Sequence, residues 1–132
     1  MTPLSVLYVD DDADIRTIVG MALALDPALT LTEAATGEEA LALVSDGFVP
    51  DVAVVDMMMP GINGRVLMER LHRQEATAHV PVIVITARAR AADIAAYRAA
   101  GAIGVITKPF DPLHLAPRIR ALAHATENRD MG

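Results

Sequence analysis

Five short apolar runs punctuate the chain: Leu4 to Val9, Leu29 to Ala34, Asp51 to Val55, Val80 to Ile85 and Ala102 to Thr107. Each is cut off by polar or turn-forming residues. Short β-branched runs bounded in this way read as strands. Between them, apolar residues recur at helical spacing. Ile15, Ile18, Val19, Ala22, Leu23 and Leu25 form the first stripe, with Asp12 as its cap, Asp14 near its positive end and Asp26-Pro27 as its stop. Thr36-Gly-Glu-Glu39 is a capping-box signature, and the helix behind it carries Ala40, Leu41, Leu43 and Val44 and stops by Gly47. Asn63 caps a third helix, with Val66, Leu67 and Leu71 inward and Arg65, Glu69, Arg70 and Arg73 outward. Residues 88–100 form a weakly amphipathic helix stopped at Gly101. Asp111-Pro112 opens the last, expected to run to about Ala125 with a kink or a 3₁₀ first turn caused by Pro117.

Four of the five runs are apolar almost throughout rather than alternating. Strands of that kind are buried on both faces, so the alternation predicts an α/β fold: a parallel sheet covered by helices on both sides, joined by right-handed crossovers. The length suits one domain, expected over residues 1–126, with 127–132 as a short polar tail. At 53% hydrophobic residues the chain has material for a sizeable core, and at 3% aromatic that core must be aliphatic. Cysteine is absent, which excludes disulfides, thiol catalysis and thiolate metal sites. No signal peptide and no membrane-length apolar run is visible, so a cytoplasmic location is expected.

The charge is split. Residues 1–62 hold eleven acids and one base, Arg16, for a net -10. Residues 63–132 hold six acids and ten bases, for +4. Such a balance does not support a nucleic-acid stripe over the whole chain. Ten of the bases are arginine, and Lys108 is the one lysine. A compact ammonium is not interchangeable with a planar guanidinium, so Lys108 is a pointer to chemistry.

The strand ends collect functional groups. The first run ends at Asp10 and Asp11, the third at Asp56, the fourth at Thr86 and the fifth at Lys108. In an open parallel sheet the ligand crevice lies beyond the carboxyl ends of the strands, where strand order reverses. In a flavodoxin-like, doubly wound order 2-1-3-4-5 with five helices, strands 1 and 3 meet at that reversal. Asp10, Asp11 and Asp56 then share a pocket, with Thr86 and Lys108 on its other side. Crowded carboxylates are hard oxygen ligands, and Mg²⁺ is the natural guess. Lys108 can meet a phosphoryl oxygen as a point charge, and Thr86 can donate to another. The set suits phosphoryl transfer to a carboxylate.

These residues carry a resemblance. Tyr-Val-Asp-Asp-Asp, Val-Val-Asp-Met-Met-Met-Pro-Gly-Ile-Asn-Gly, Val-Ile-Thr-Ala and Thr-Lys-Pro-Phe-Asp match, in order and spacing over residues 4–125, the receiver domain of two-component response regulators. The resemblance implies Asp56 as phospho-acceptor. It implies a metal held by Asp10, Asp11, Asp56 and the backbone carbonyl of Met58, phosphoryl contacts from Thr86 and Lys108, and a cis bond before Pro109. It also implies partners: a sensor histidine kinase or histidine phosphotransfer protein as donor, and a downstream protein target. A monomer or a phosphorylation-dependent dimer is expected, binding neither nucleic acid nor membrane directly.

Two positions depart from the family pattern. The switch position, three residues before the lysine, is usually Tyr or Phe and here is Val105. Met58, two residues after the acceptor, is apolar where many relatives are polar. A dehalogenase-like phosphatase, with Asp10 as nucleophile and Asp12 as general acid, would also use a carboxylate, Mg²⁺ and a lysine. The chain has no room for its cap domain, and no Asp-rich motif follows strand 4. A receiver-like module that is never phosphorylated is opposed by the complete five-residue set. His72, His79, His114 and His124 share no ligand-like spacing.

Overall fold

A computed structural model describes residues 2–131, and the side chains of residues 2–125. Five parallel strands, β1 (Leu4–Val9), β2 (Leu29–Ala34), β3 (Val52–Asp56), β4 (Val82–Thr86) and β5 (Ala102–Thr107), form one sheet in the order β2-β1-β3-β4-β5. Helices α1 (Ala13–Leu23), α2 (Gly37–Ser45), α3 (Gly64–Arg73), α4 (Ala91–Ala99) and α5 (Pro112–Met131) alternate with them. This is the flavodoxin-like, doubly wound arrangement that the sequence predicts.

The apolar strands explain the two layers. Successive side chains of a strand point to opposite faces, and in β3 and β4 every residue is buried. Leu7, Val9, Ala53, Val55, Val82 and Val84 meet Ala40, Val44, Leu67 and Leu71 of α2 and α3. Val6, Tyr8, Val52, Val54, Ile83 and Ile85 meet Val19 and Leu23 of α1 and Leu115 and Ile119 of α5. Each fully buried Val, Leu or Ile is worth about 1.5–3 kcal/mol relative to exposure. The core is aliphatic with one exception: Tyr8 is the largest fully buried side chain among the described residues.

Caps fall where the sequence sets them. Asp12 accepts the N–H groups of Asp14 and Ile15, and Asn63 accepts that of Val66. Thr36 accepts the N–H of Glu39, but the returning Glu39 carboxylate takes the N–H of Ala35 instead of Thr36, so the box closes one residue early.

Boundaries move for local reasons. Asp51 lies outside β3 and binds Ser5 twice, its carboxylate accepting the Ser5 N–H at 2.7 Å and its N–H reaching the Ser5 carbonyl at 2.8 Å. β4 starts at Val82 rather than Val80, because Pro81 has no N–H for a ladder and Val80 turns its own to Thr77. A 3₁₀ turn, Glu75–Thr77, precedes it where the sequence gives no signal. α4 is shorter than expected. α5 runs unbroken through Pro117 and past Ala125 to Met131. Its first turn is α-helical rather than 3₁₀, with one tight bond from the His114 N–H to the Asp111 carbonyl at 3.0 Å. No helix among the described residues is long and apolar enough to cross a membrane.

One polar staple joins the sequence ends. Arg120 of α5 makes two bonds to the Asp26 carboxylate and a third to the Thr2 carbonyl. The Arg120 guanidinium holds the Asp26 carboxyl below its ordinary value of 3.8, with the Ala28 N–H helping and burial opposing. A depressed carboxyl stabilises the fold above the unfolded value, and that stability is lost as pH falls through the folded one. Arg120→Ala is expected to flatten the acid limb of the stability curve below about pH 4 and to lower stability at neutral pH. Urea denaturation between pH 2 and 7 measures this; parallel curves for wild type and variant refute it.

Candidate functional site: a carboxylate pocket closed by one lysine

The strand order puts the ends of β1 and β3 side by side, with Val9 opposite Val55. β4 flanks β3 with Ile85 opposite Asp56, and β5 flanks β4 with Thr107 opposite Thr86. One carboxylate oxygen from each of Asp10, Asp11 and Asp56 comes within 4.8 Å of the others. Asp10 and Asp56 are buried, while Asp11 is exposed at the rim.

Lys108 closes the group. Its Nζ lies 2.9 Å from Asp10 Oδ2 and 3.3 Å from Asp56 Oδ2, with only 19% of the side chain exposed. Its backbone N–H donates to the Thr86 carbonyl at 2.8 Å, and the bond to Pro109 is cis, as the resemblance implies. Thr86 is fully buried, and its Oγ1 accepts the N–H of Arg88 at 3.0 Å. No hydrogen bond joins that hydroxyl to Asp56. Asp56 Oδ1 accepts the N–H of Met58 at 3.1 Å, and Met58 itself is 60% exposed. Val105 is half-buried on β5 and packs on the layer that also carries Tyr97.

The turn after Asp56 is held from beneath. The N–H of Gly64 donates to the Met57 carbonyl at 3.2 Å. A Cβ at Gly64 would sit 2.5 Å from the Asp56 carbonyl oxygen and 2.8 Å from Met57 Cα. Only glycine permits that approach of α3 to the strand end.

Electrostatics separates the two buried acids. Burial acts to raise Asp10, but the Asp12 N–H, Lys108 and the Tyr8 hydroxyl together hold its carboxyl below the usual range. Burial raises Asp56, and the neighbouring Asp10 charge adds to it, against the Met58 N–H and Lys108. Burial lowers Lys108, but its bonds and charge interactions with both acids win, so it holds its proton more firmly than a free lysine. Three carboxylates against one ammonium carry a formal charge of -2, the complement of a divalent cation. The donor set therefore fits Mg²⁺: hard oxygens, few protein ligands and an open side at Asp11.

Three contributors escaped the sequence reading. Tyr8 Oη donates to Asp10 Oδ2 at 2.7 Å. The period-2 rule could have found it, since residues 8 and 10 share a face of β1 and Tyr8 is the one aromatic in that run. Arg16, the one base of the acidic half, donates to the Asp10 carbonyl at 2.7 Å. Tyr97 Oη donates to the Arg88 carbonyl at 3.0 Å, pinning the turn after Thr86 to α4. Neither of these two has a local sequence signature.

The fold and pocket define an α/β protein with an acidic, lysine-closed crevice at its topological switch point. The response regulator receiver domain matches residues 6–120. The phosphate regulon transcriptional regulatory protein PhoB of Pseudomonas aeruginosa is 35% identical over 126 residues, covering 96% of this chain and 54% of its own length. The transcriptional regulatory protein CseB of Streptomyces avermitilis is 40% identical over 119 residues, covering 89% and 48%. The chain thus spans about half the length of these curated relatives. Among solved structures, the receiver domain of the Francisella response regulator 1452 superposes with a TM-score of 0.82 at 30% identity, covering 93% of this chain and 98% of that one. The chemotaxis response regulator CheY4 of Vibrio cholerae gives 0.82 at 29%, covering 92% and 99%. This chain belongs to the response regulator receiver domain family, whose members act in two-component signalling through phosphorylation of an aspartate.

The charge arrangement makes a prediction for the metal-free protein. Asp56 is expected to titrate above 3.8 and Asp10 below it, and Lys108→Ala should raise both. Carboxyl ¹³C NMR reads each group; values that do not respond to loss of the lysine would refute the shared ammonium.

Proposed function

We propose that Asp56 is the phospho-acceptor of this receiver. A carboxylate oxygen of Asp56 attacks the phosphorus of a phosphohistidine, on a sensor histidine kinase or a histidine phosphotransfer protein. The P–N bond breaks, its electron pair leaves with the imidazole, and Asp56 becomes an acyl phosphate. The observation that carries this reading is the Lys108 ammonium lodged between Asp10 and Asp56, a fixed positive charge beside the one strand-end carboxylate held above the normal range. Lys108 is suited to meet a phosphoryl oxygen, and Thr86 to donate to another once its hydroxyl turns from the Arg88 N–H. Asp10, Asp11, Asp56 and the Met58 carbonyl would hold Mg²⁺, which when bound neutralises charge on the phosphoryl oxygens. In this reading the domain is a switch rather than an enzyme, spans residues 1–126 and works in the cytoplasm.

The output is read by a protein partner on the surface formed by α4, β5 and α5. Arg88, Arg90, Arg98 and Arg118 are all exposed there, which favours an acidic partner. Val105 lies within this face and offers no aromatic gate, so Thr86 and the turn after it carry the coupling. We propose a monomer, or a dimer formed on phosphorylation, with no direct role for nucleic acid or membrane.

Incubation with acetyl phosphate and Mg²⁺, followed by intact-mass measurement, is expected to give a phosphoryl adduct. Asp56→Asn should abolish it, as should EDTA. Labelling that persists in Asp56→Asn refutes the assignment, and turnover of small phosphate esters would favour the phosphatase alternative. Met58 borders the path of the hydrolytic water, and its exposed thioether neither orders nor activates one. A polar group there is worth about one hydrogen bond, or roughly tenfold in rate. Met58→Asn is therefore expected to speed loss of the phosphoryl group by about that factor; an unchanged decay rate sinks the idea.

A further inference from the structure

Tyr8 is the one fully buried aromatic among the described residues, and its hydroxyl ends on a carboxylate of the pocket. Asp10 Oδ2 accepts that hydroxyl at 2.7 Å and the Lys108 ammonium at 2.9 Å. Asp10 Oδ1 accepts the Asp12 N–H at 3.0 Å. A carboxylate oxygen has room for about two such donors, so Oδ2 is filled and Oδ1 keeps one free direction. The remaining reach of Lys108 goes to Asp56 Oδ2 at 3.3 Å. The ammonium is thus shared by two acids, and the tyrosine stands on one side of that division.

We propose that Tyr8 is a positioning residue of the pocket: its hydroxyl carries part of the Asp10 charge, and so leaves Lys108 free to serve Asp56 and keeps the cation site exchangeable. Without the hydroxyl, Oδ2 relies on Lys108 alone and draws the ammonium away from Asp56. The pocket then also holds more uncompensated negative charge and grips a divalent cation harder. Loss of one oxygen atom should therefore act in opposite directions on two measurements. The effect on Asp56 rests on its reading as phospho-acceptor; the effect on the cation does not.

Tyr8→Phe keeps the ring and removes the hydroxyl. Its Mg²⁺ dissociation constant, by calorimetry, should fall by about threefold to tenfold, the scale of one hydrogen bond to a charged group. At saturating Mg²⁺ its phosphorylation by acetyl phosphate should slow by about tenfold. Both changes should vanish in an Asp10→Asn background. The chain contains two tyrosines and no tryptophan, which gives a readout independent of turnover. Mg²⁺ should perturb the near-ultraviolet tyrosine band in wild type and in Tyr97→Phe, and leave Tyr8→Phe silent. A buried tyrosine that merely fills space predicts no Mg²⁺-dependent change in the band and equal Mg²⁺ affinity in Tyr8→Phe; either result overturns the proposal, as does weaker binding. If Tyr8→Phe fails to fold, the wild-type and Tyr97→Phe spectra decide alone, and absence of the Mg²⁺-dependent change in either overturns it. A wild type that shows the Mg²⁺-dependent change but takes up no phosphoryl group upholds the link between Tyr8 and the cation site, and overturns the reading of Asp56 instead.

Discussion

One ammonium makes the strand-end pocket possible. Two carboxylates buried at neighbouring strand ends repel, and taking each out of water costs several kcal/mol. Lys108 offsets this by contacting both, across 98 residues of sequence in the case of Asp10. Strand order does the rest. β1 and β3 must be neighbours for the acids to meet, and β5 must lie beyond β4 for the lysine to arrive from the opposite side. The doubly wound sheet is the frame that delivers these three charges to one crevice. The remaining backbone donors, from Asp12 and Met58, then fix the orientation of each carboxylate.

The legible parts of the fold were those set by local chemistry. β-Branched runs marked the strands, and their polar ends at Asp10, Asp56, Thr86 and Lys108 marked the edge at which the site would form. Asp12, Thr36 and Asn63 announced their helices because a cap is a contact within three residues. What escaped was nonlocal. Arg120 finds Asp26 across 94 residues, and nothing near either position foretells it. Asp51 was assigned to a strand because it borders an apolar run, yet its partner is Ser5 on the neighbouring strand. The pocket residues were placed by motif, whereas Tyr8 was visible only to someone asking where a lone phenol in an aliphatic strand would put its hydroxyl.

Beside β5, the aromatic side chain is displaced in sequence rather than missing. The position three residues before the lysine is Val105, while a tyrosine stands at 97 on α4 and packs on the same layer of the core. Its hydroxyl holds the Arg88 carbonyl, and the Arg88 N–H is held by Thr86. The turn that follows β4 is therefore tied at one residue to both the strand end and the helix, through two hydrogen bonds.

The contact at Gly64 has a mechanical consequence. With no room for even a methyl group between α3 and the Asp56 carbonyl, the backbone of that strand end and the first turn of α3 form one stiff body. Stiffness there is anisotropic. A displacement of the Asp56 backbone towards α3 meets the Gly64 backbone at once, whereas the Thr86 turn across the crevice rests on exchangeable hydrogen bonds. A side chain's absence on one flank thus closes one heading to any movement that begins at the strand end.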